Sequence, residues 1–213
     1  MKKNLFFLFS FLCMVLMLSG CQVYGLIKDA SDKEEGQVIM KDGQEFVGRV
    51  ETPNSNTKKL TIITGKDEKQ VLEADKIEAL VMWKKTHPEI KHVLRYIRTY
   101  WRDKKQTLQK PMWMAVTDVG DHVVFYTCSF NYSIPSDGSL KITSVKGGSI
   151  YHYAQKDGDD FPHFVSMSDM SKRQVRKKLI DYLGDDPVLV KKLTEQEIKP
   201  LDFETIAEEY KPQ

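Results

Sequence analysis

The chain has 213 residues, of which 41% are hydrophobic, and it carries 32 Lys and Arg against 30 Asp and Glu. Lys2 and Lys3 are the only charged residues among the first twenty, so the other 193 residues hold 30 bases and 30 acids and have no net charge. This composition excludes an intrinsically disordered chain and disfavours a basic nucleic-acid-binding protein, so we expect no nucleic-acid partner. The length suffices for a hydrophobic core in one domain or in two small ones.

The N-terminus has the pattern of an export signal. Lys2 and Lys3 precede an apolar run, Leu5–Leu18, of 14 residues. A membrane-spanning helix needs about 20 such residues, so this run predicts a signal peptide over residues 1–20 rather than a permanent span. The run ends in Leu18-Ser19-Gly20-Cys21, which resembles the lipobox of bacterial lipoproteins.

The resemblance to bacterial lipoproteins implies a lipid anchor on Cys21 and therefore the membrane as a partner. In that family the peptide is cut before the cysteine, whose thiol becomes a thioether to diacylglycerol and whose amine is then acylated. One chain gives reversible membrane binding, each buried CH₂ contributing about 0.8 kcal/mol, whereas two or three chains hold a protein permanently. Gln22 rather than Asp follows the cysteine, which by the sorting rule of enteric lipoproteins implies the outer membrane. The alternative is an ordinary signal peptide with a cysteine at its cleavage site.

The next two segments are predicted to be a tether, residues 21–35, and a small β domain, residues 36–83. In the β domain, a Lys41-Asp42-Gly43-Gln44 turn separates segments that alternate apolar and polar residues, and five short strands fit into about fifty residues. This pattern predicts a small curled sheet or barrel. The strand and turn spacing resembles that of Sm-like and SH3-like small barrels.

Residues 84–110 form a connecting segment and are the most basic part of the chain. Nine Lys or Arg stand against Glu89 and Asp103, a local net charge of +7. The apolar residues of the segment fit either a helix or a strand, and its many Val, Ile, Thr, Tyr and Trp residues favour a strand.

A basic segment with interleaved aromatic rings is suited to contact an anionic glycan, lipopolysaccharide or lipid headgroups. The candidate contact residues are Arg95, Arg98, Arg102, Tyr96, Tyr100 and Trp101. The alternative is a solvated strand whose charge is balanced by the acidic C-terminal residues 195–213, which have a net charge of −4.

The rest of the chain divides into an antiparallel meander, residues 111–167, and a helical tail, residues 168–213. The predicted strands are Met112–Thr117, Val124–Tyr132, Leu140–Val145 and Ile150–Ala154, with a possible edge strand at Phe164–Met167. Ser168 or Ser171, Pro187 and Asp202 mark the starts of three helices, which we expect to cover one side of the meander. The fold class is therefore α+β.

The mature part as a whole also resembles Gram-negative envelope lipoproteins of unassigned function. Their C-terminal helices are similar to the segments LGDDPVLVKKL and DFETIAEEY of this chain. This resemblance supports the layout of the tail and implies no activity.

Cys128 is the single thiol of the mature chain besides the anchor, and it has two interpretations. It is either a nucleophile activated by His152 or His122, or a small core residue, because it alternates with Tyr126 and Phe130 in a predicted strand. A core thiol has a raised pKa and is inert, and we favour this second interpretation.

Metal and cofactor motifs are missing from the sequence. The five histidines, including His87, His92 and His163, show no zinc-ligand spacing. Asp157-Gly158-Asp159-Asp160 lacks the spacing of an EF-hand, and Lys146-Gly147-Gly148-Ser149 lacks the second glycine of a phosphate-binding loop. We expect no metal and no cofactor.

Together these features predict a lipid-anchored, non-catalytic binding or structural module of the cell envelope. Two alternatives remain open at this point. One is a hydrolase that uses Cys128 with a histidine, and the other is a helper subunit that docks on another envelope protein through its helical tail.

Overall fold

The structure is a computed structural model that describes residues 33–65, 68–101 and 107–213. The predicted signal peptide, Cys21 and Arg102 lie outside these residues. The strands are β1 (Lys33–Met40), β2 (Glu45–Glu51), β3 (Lys59–Thr64), β4 (Glu68–Glu73), β5 (Ile77–Lys84), β6 (His87–Ile97), β7 (Met112–Val119), β8 (Val123–Cys128), β9 (Asn131–Ser133), β10 (Lys141–Thr143), β11 (Tyr151–Lys156) and β12 (His163–Met167). The helices are α1 (Lys172–Tyr182), α2 (Pro187–Glu195) and α3 (Phe203–Glu209), and a 3₁₀ turn spans Ala74–Lys76.

Within the described residues, ten strands pair antiparallel into one sheet, in the order β12-β11-β8-β7-β6-β5-β1-β2-β3-β4. β9 and β10 form a separate two-stranded ribbon. The sheet contains the strands predicted for the small β domain, the basic segment and the meander, and it is open rather than closed into a barrel. The α+β fold class and the strand at β6 are confirmed.

One side of the sheet carries two buried clusters. The first lies among β1–β7 and the ribbon, and it includes Val38, Leu80 and Trp113. The second lies between β8, β11, β12 and the three helices, and it includes Phe125 and Leu179. The prediction that the helices cover one side of the meander is therefore confirmed.

A third cluster lies on the opposite side of the meander, because neighbouring residues of a strand point to opposite faces. It consists of Met114, Tyr126, Cys128, Tyr153 and Phe164. Beyond β6, the chain packs against this cluster: the Trp101 ring lies 5.9 Å from the ring of Phe164. We call this side of the sheet the crossing face.

All three helices start at a side chain that caps them. Ser171 and Gln174 form a reciprocal capping box at α1. The Asp186 carboxylate accepts from two backbone N–H groups at the start of α2, and Asp202 accepts from the Thr205 N–H at α3. These oxygens satisfy donors that have no partner inside a helix, so the predicted starts at Ser171, Pro187 and Asp202 are confirmed.

Two predicted boundaries are wrong. β1 begins at Lys33, inside the predicted tether, because Lys33 pairs with Glu51 and Glu34 forms an ion pair with Lys84 at 3.0 Å. The predicted long strand Val124–Tyr132 ends at Cys128.

The strand breaks at this point because the following chain leaves the sheet to cover the first cluster. Tyr132 belongs to β9, and its buried hydroxyl donates to the Trp113 carbonyl at 2.6 Å. The strand predicted over Leu140–Val145 is the shorter β10, which pairs with β9 and not with the meander. The strands of the meander that belong to the large sheet are therefore β7, β8, β11 and β12.

Candidate ligand-binding groove

Arg95 is fixed on the crossing face by the pairing of β6 with β5 and β7. It lies opposite Met114 in the register, and its guanidinium forms an ion pair with Glu78. Burial works against the charge of Arg95, but Tyr126 and Glu78 outweigh it and raise the pKa of the guanidinium. The charge of Arg95 is thus largely matched inside the protein.

Tyr96 is a core residue rather than a free contact residue. Its side chain is 9% exposed, and its ring lies 5.5 Å from the ring of Trp113. Burial and the nearby Asp75 carboxylate raise the pKa of Tyr96. Its ring therefore contributes to the floor of a groove and not to an exposed stacking surface.

Tyr100 and Trp101 anchor the chain that follows β6. The Tyr100 N–H donates to the Pro162 carbonyl at 2.8 Å, and the Tyr100 ring lies 4.6 Å from that of His163. The Trp101 ring lies 5.7 Å from that of Tyr151. Both rings pack against other parts of the protein, so they hold the end of the basic segment against the sheet.

Arg98 differs from these neighbours because it is exposed and lines a cavity. This cavity has a volume of about 530 Å³ and also contacts Lys41, Asp75 and Asp160. A second cavity of about 410 Å³ is lined by Lys58 and Lys110, among others. Asp75, Tyr96 and Pro111 line both cavities, which makes them two parts of one groove.

The groove has an excess of positive charge. Five Lys or Arg and three Asp or Glu line its two parts. Arg95 is paired with Glu78, and Glu73 is paired with Lys59 at 3.2 Å. In the described part of the chain, the side chains of Lys41, Lys58, Arg98 and Lys110 take part in no ion pair. Asp75 and Asp160 also line the groove outside these ion pairs, so the four cations exceed the remaining carboxylates by two.

Two of these four cations, Lys41 in the β1–β2 turn and Lys58 before β3, lie outside the basic segment predicted from the sequence. Lys110, which precedes β7, is the last residue of that segment but was not one of its six candidate contact residues. Lys41 and Lys58 meet the segment only because the strands between them pair, so no local pattern could have grouped them with it. Arg98 is the predicted contact residue whose exposure and position fit the groove.

An apolar cavity of about 260 Å³ adjoins the basic groove. Met112, Cys128, Phe130, Val145 and Tyr151 are among its lining residues, and Asn56 lines both this cavity and the basic groove. The side chains of Phe130 and Val145 are 41% and 49% exposed at its rim.

Cys128 has the environment of a core thiol. It is 3% exposed, its sulfur lies 3.6 Å from that of Met112, and burial raises its pKa to about 12. Cys128 is paired in register with Tyr151, whereas His152 is paired with Thr127. Consecutive residues point to opposite faces, so Cys128 and His152 cannot form a catalytic pair.

The remaining histidines are held by structural contacts. His122 bonds to Asp157 at 2.9 Å, and His92 bonds to the Gly138 carbonyl at 2.8 Å. Burial lowers the pKa of His152 to about 4 and also lowers the pKa of His163. Each ring thus has a role in packing or in a local hydrogen bond.

The two loops considered for ions also have local explanations. Asp159 accepts hydrogen bonds from the Tyr182 hydroxyl and from the Lys156 N–H at 3.2 Å. Gly147 has a φ of 80° in a turn closed by the Gly148 N–H and the Val145 carbonyl at 2.8 Å. Among the described residues, no three His, Cys, Asp or Glu side chains are grouped as a metal site requires.

Compared with known proteins, the chain matches no family model, no curated sequence and no solved structure. In the part of the chain that the structure describes, no helix has the length and apolarity needed to cross a bilayer.

Proposed function

We propose that the protein is a lipid-anchored, non-catalytic component of the bacterial cell envelope that binds an anionic envelope component. Gln22 after the cysteine favours the outer membrane as its location. The observation that carries the binding function is the set of unpaired cations around the groove, Lys41, Lys58, Arg98 and Lys110. The anchor follows from the lipobox-like sequence that ends in Cys21. A phosphorylated or carboxylated glycan has the chemistry that this groove would recognise.

The anchor is tested by fractionation of cells that express the full chain. Cys21→Ala removes the thiol that takes the lipid, so the variant is expected to leave the membrane fraction or to remain as uncleaved precursor. Cys13→Ala, which changes the other cysteine of the N-terminal segment, is the matched control and is expected to mature normally. A Cys21→Ala protein that is cleaved and still sediments with membranes would contradict the anchor.

The groove is tested with a soluble anion that carries no acyl chain, the deacylated and phosphorylated core oligosaccharide of lipopolysaccharide. Arg98→Glu combined with Lys110→Glu replaces two cations by two anions and is expected to weaken binding at least about tenfold in calorimetry. Lys191→Glu changes an exposed lysine of α2 and is expected to bind like the wild type. Equal affinities of all three proteins would overturn the assignment of the groove.

A further inference from the structure

The basic groove and the apolar cavity form one continuous depression with a gradient of polarity. Asn56 lines both, and the consecutive residues Pro111 and Met112 carry the lining from the basic part to the apolar part. No Lys, Arg, Asp or Glu lines the apolar part. A ligand that is apolar at one end and anionic at the other would match both parts of the depression.

The apolar end is lined by Met112, Cys128, Phe130, Val145 and Tyr151 together with Ser55, Asn56, Ser129, Ser144, Gly148 and Ser149, and most of its accessible surface is apolar. Met112 and Tyr151 form its walls, and Cys128 lies beside Met112 with its thiol neutral because burial raises the pKa. Phe130 and Val145 remain exposed at the rim. Pockets lined by apolar side chains with a few polar groups are typical of ligand-binding sites.

The position of the depression relative to the start of the fold favours a lipid. Lys33, the first described residue, pairs with Glu51, and a few residues further the Ser55 N–H donates to the Phe130 carbonyl at 3.1 Å. The apolar end thus includes Ser55, four positions after the pairing partner of Lys33. With the proposed lipid on Cys21, a linker of the length of residues 22–32 would allow at most about 40 Å between Lys33 and the bilayer.

We propose that the depression binds one anionic phospholipid, with an acyl chain in the cavity of Met112, Cys128, Phe130 and Tyr151 and the phosphate between Lys58 and Lys110. This inference rests on the proposed function, because it names the ligand class of the same groove and uses the same anchor. It differs in requiring the acyl chain and not only the anionic group.

The test uses the mature lipidated protein in nanodiscs of phosphatidylcholine that contain a trace of a photoreactive phospholipid, with the diazirine in an acyl chain. Crosslinked residues are identified by mass spectrometry. A phosphatidylglycerol probe is expected to label Met112, Cys128 or Tyr151, and to do so about tenfold more than a phosphatidylcholine probe of the same chain.

Three variants separate the two ends of the site. Lys58→Glu with Lys110→Glu removes the preference for phosphatidylglycerol, and Val145→Asp lowers labelling by both probes. Val188→Asp, at a residue of α2 that is 60% exposed, leaves labelling unchanged. Circular dichroism of each variant confirms that a loss of labelling is not a loss of fold.

Two outcomes would overturn the proposal. Equal labelling by the two probes would show that the cations do not select the headgroup, and labelling confined to Phe130 and Val145 would show a shallow contact with the bilayer surface. Competition by glycerophosphoglycerol, the deacylated headgroup, distinguishes this failure from a failure of the proposed function. If the deacylated compound binds while the cavity remains unlabelled, the anion-binding function stands and the lipid site does not.

Discussion

Gly120 lies directly against the backbone carbonyl of Ala207, so that a Cβ placed on residue 120 would stand 1.9 Å from that oxygen. Gly120 belongs to the turn between β7 and β8, and Ala207 lies in the middle of α3. The helix α3 can therefore lie this close to the turn only because Gly120 has no side chain. A helix cannot approach a strand turn so closely when any other residue is present.

Gly120→Ala is expected to lower the free energy of unfolding by about 1–3 kcal/mol, because the new methyl group forces α3 away from the sheet. Chemical denaturation monitored by circular dichroism measures the loss. Asp121→Ala is the control, since it changes an exposed neighbour in the same turn and is expected to stay within about 0.5 kcal/mol of the wild type. A stability of Gly120→Ala equal to that of the control would mean that α3 does not dock as described.

Asp186 ties the C-terminus to the start of α2. Asp186 is 3% exposed. Its carboxylate accepts hydrogen bonds from the Val188 and Leu189 N–H groups at 3.0 Å each and from the Lys211 N–H at 2.8 Å. Asp186→Ala leaves these donors without a partner and is expected to cost about 2–4 kcal/mol.

Asp186→Asn separates the two parts of this interaction. The amide oxygen can still cap the helix, but an NH₂ group facing the Lys211 N–H cannot accept its hydrogen bond. We expect an intermediate loss of stability and faster hydrogen exchange at Lys211, with the start of α2 preserved. If Asn destabilised as much as Ala, the preserved cap would contribute no measurable stability, and the role assigned to the cap would be wrong.

The elements that the sequence predicted well are those determined by neighbouring residues. Ser171, Pro187 and Asp202 mark helix starts through contacts within one turn. The abundance of β-branched and aromatic residues identified β6 as a strand although its apolar spacing also fitted a helix. Local chemistry was sufficient in these cases because the signals lie within a few residues.

The predictions that failed needed knowledge of pairing between distant segments. Alternation continues through Cys128 to Tyr132 in the sequence, but the strand ends at Cys128 and Tyr132 is buried, with its hydroxyl donating to the Trp113 carbonyl. In the groove, Arg95 is neutralised by Glu78, which is 17 positions away in sequence. Lys58 and Lys110 line one cavity although they are also far apart in sequence, because the pairing of the strands brings them together. No periodicity within a single segment carries this information.

His152 is expected to make the protein less stable in mild acid. It lies between the Thr127 hydroxyl, 3.0 Å from its Nδ1, and the ring of Phe203 at 5.1 Å. Burial lowers its pKa to about 4 in the folded state, against about 6.5 in the unfolded chain. Above pH 6.5 both states are neutral, whereas below it the unfolded state binds the proton first, so stability falls between pH 6.5 and pH 4.

The size of this loss is about 3 kcal/mol at pH 4 and levels off slightly above that value at lower pH. The free energy of unfolding is measured from pH 8 to pH 4 for the wild type and for His152→Gln, which has no titrating ring. The difference between the two curves isolates the histidine from the carboxylates that titrate in the same range. A slope that survives in His152→Gln would contradict the assignment.

Cys128 is expected to resist alkylation in the folded protein, because iodoacetamide reacts with the thiolate and burial raises the pKa of this thiol to about 12. At pH 8 the thiolate fraction is on the order of a thousandfold below that of an ordinary cysteine. Mass spectrometry of the labelled mature protein should find Cys128 unmodified under native conditions and modified in guanidinium. Val188→Cys places a thiol at a residue that is 60% exposed and should be labelled within minutes in the same reaction. Native labelling of Cys128 at the rate of that control would show an accessible, activated thiol and would restore the hydrolase interpretation with a histidine other than His152.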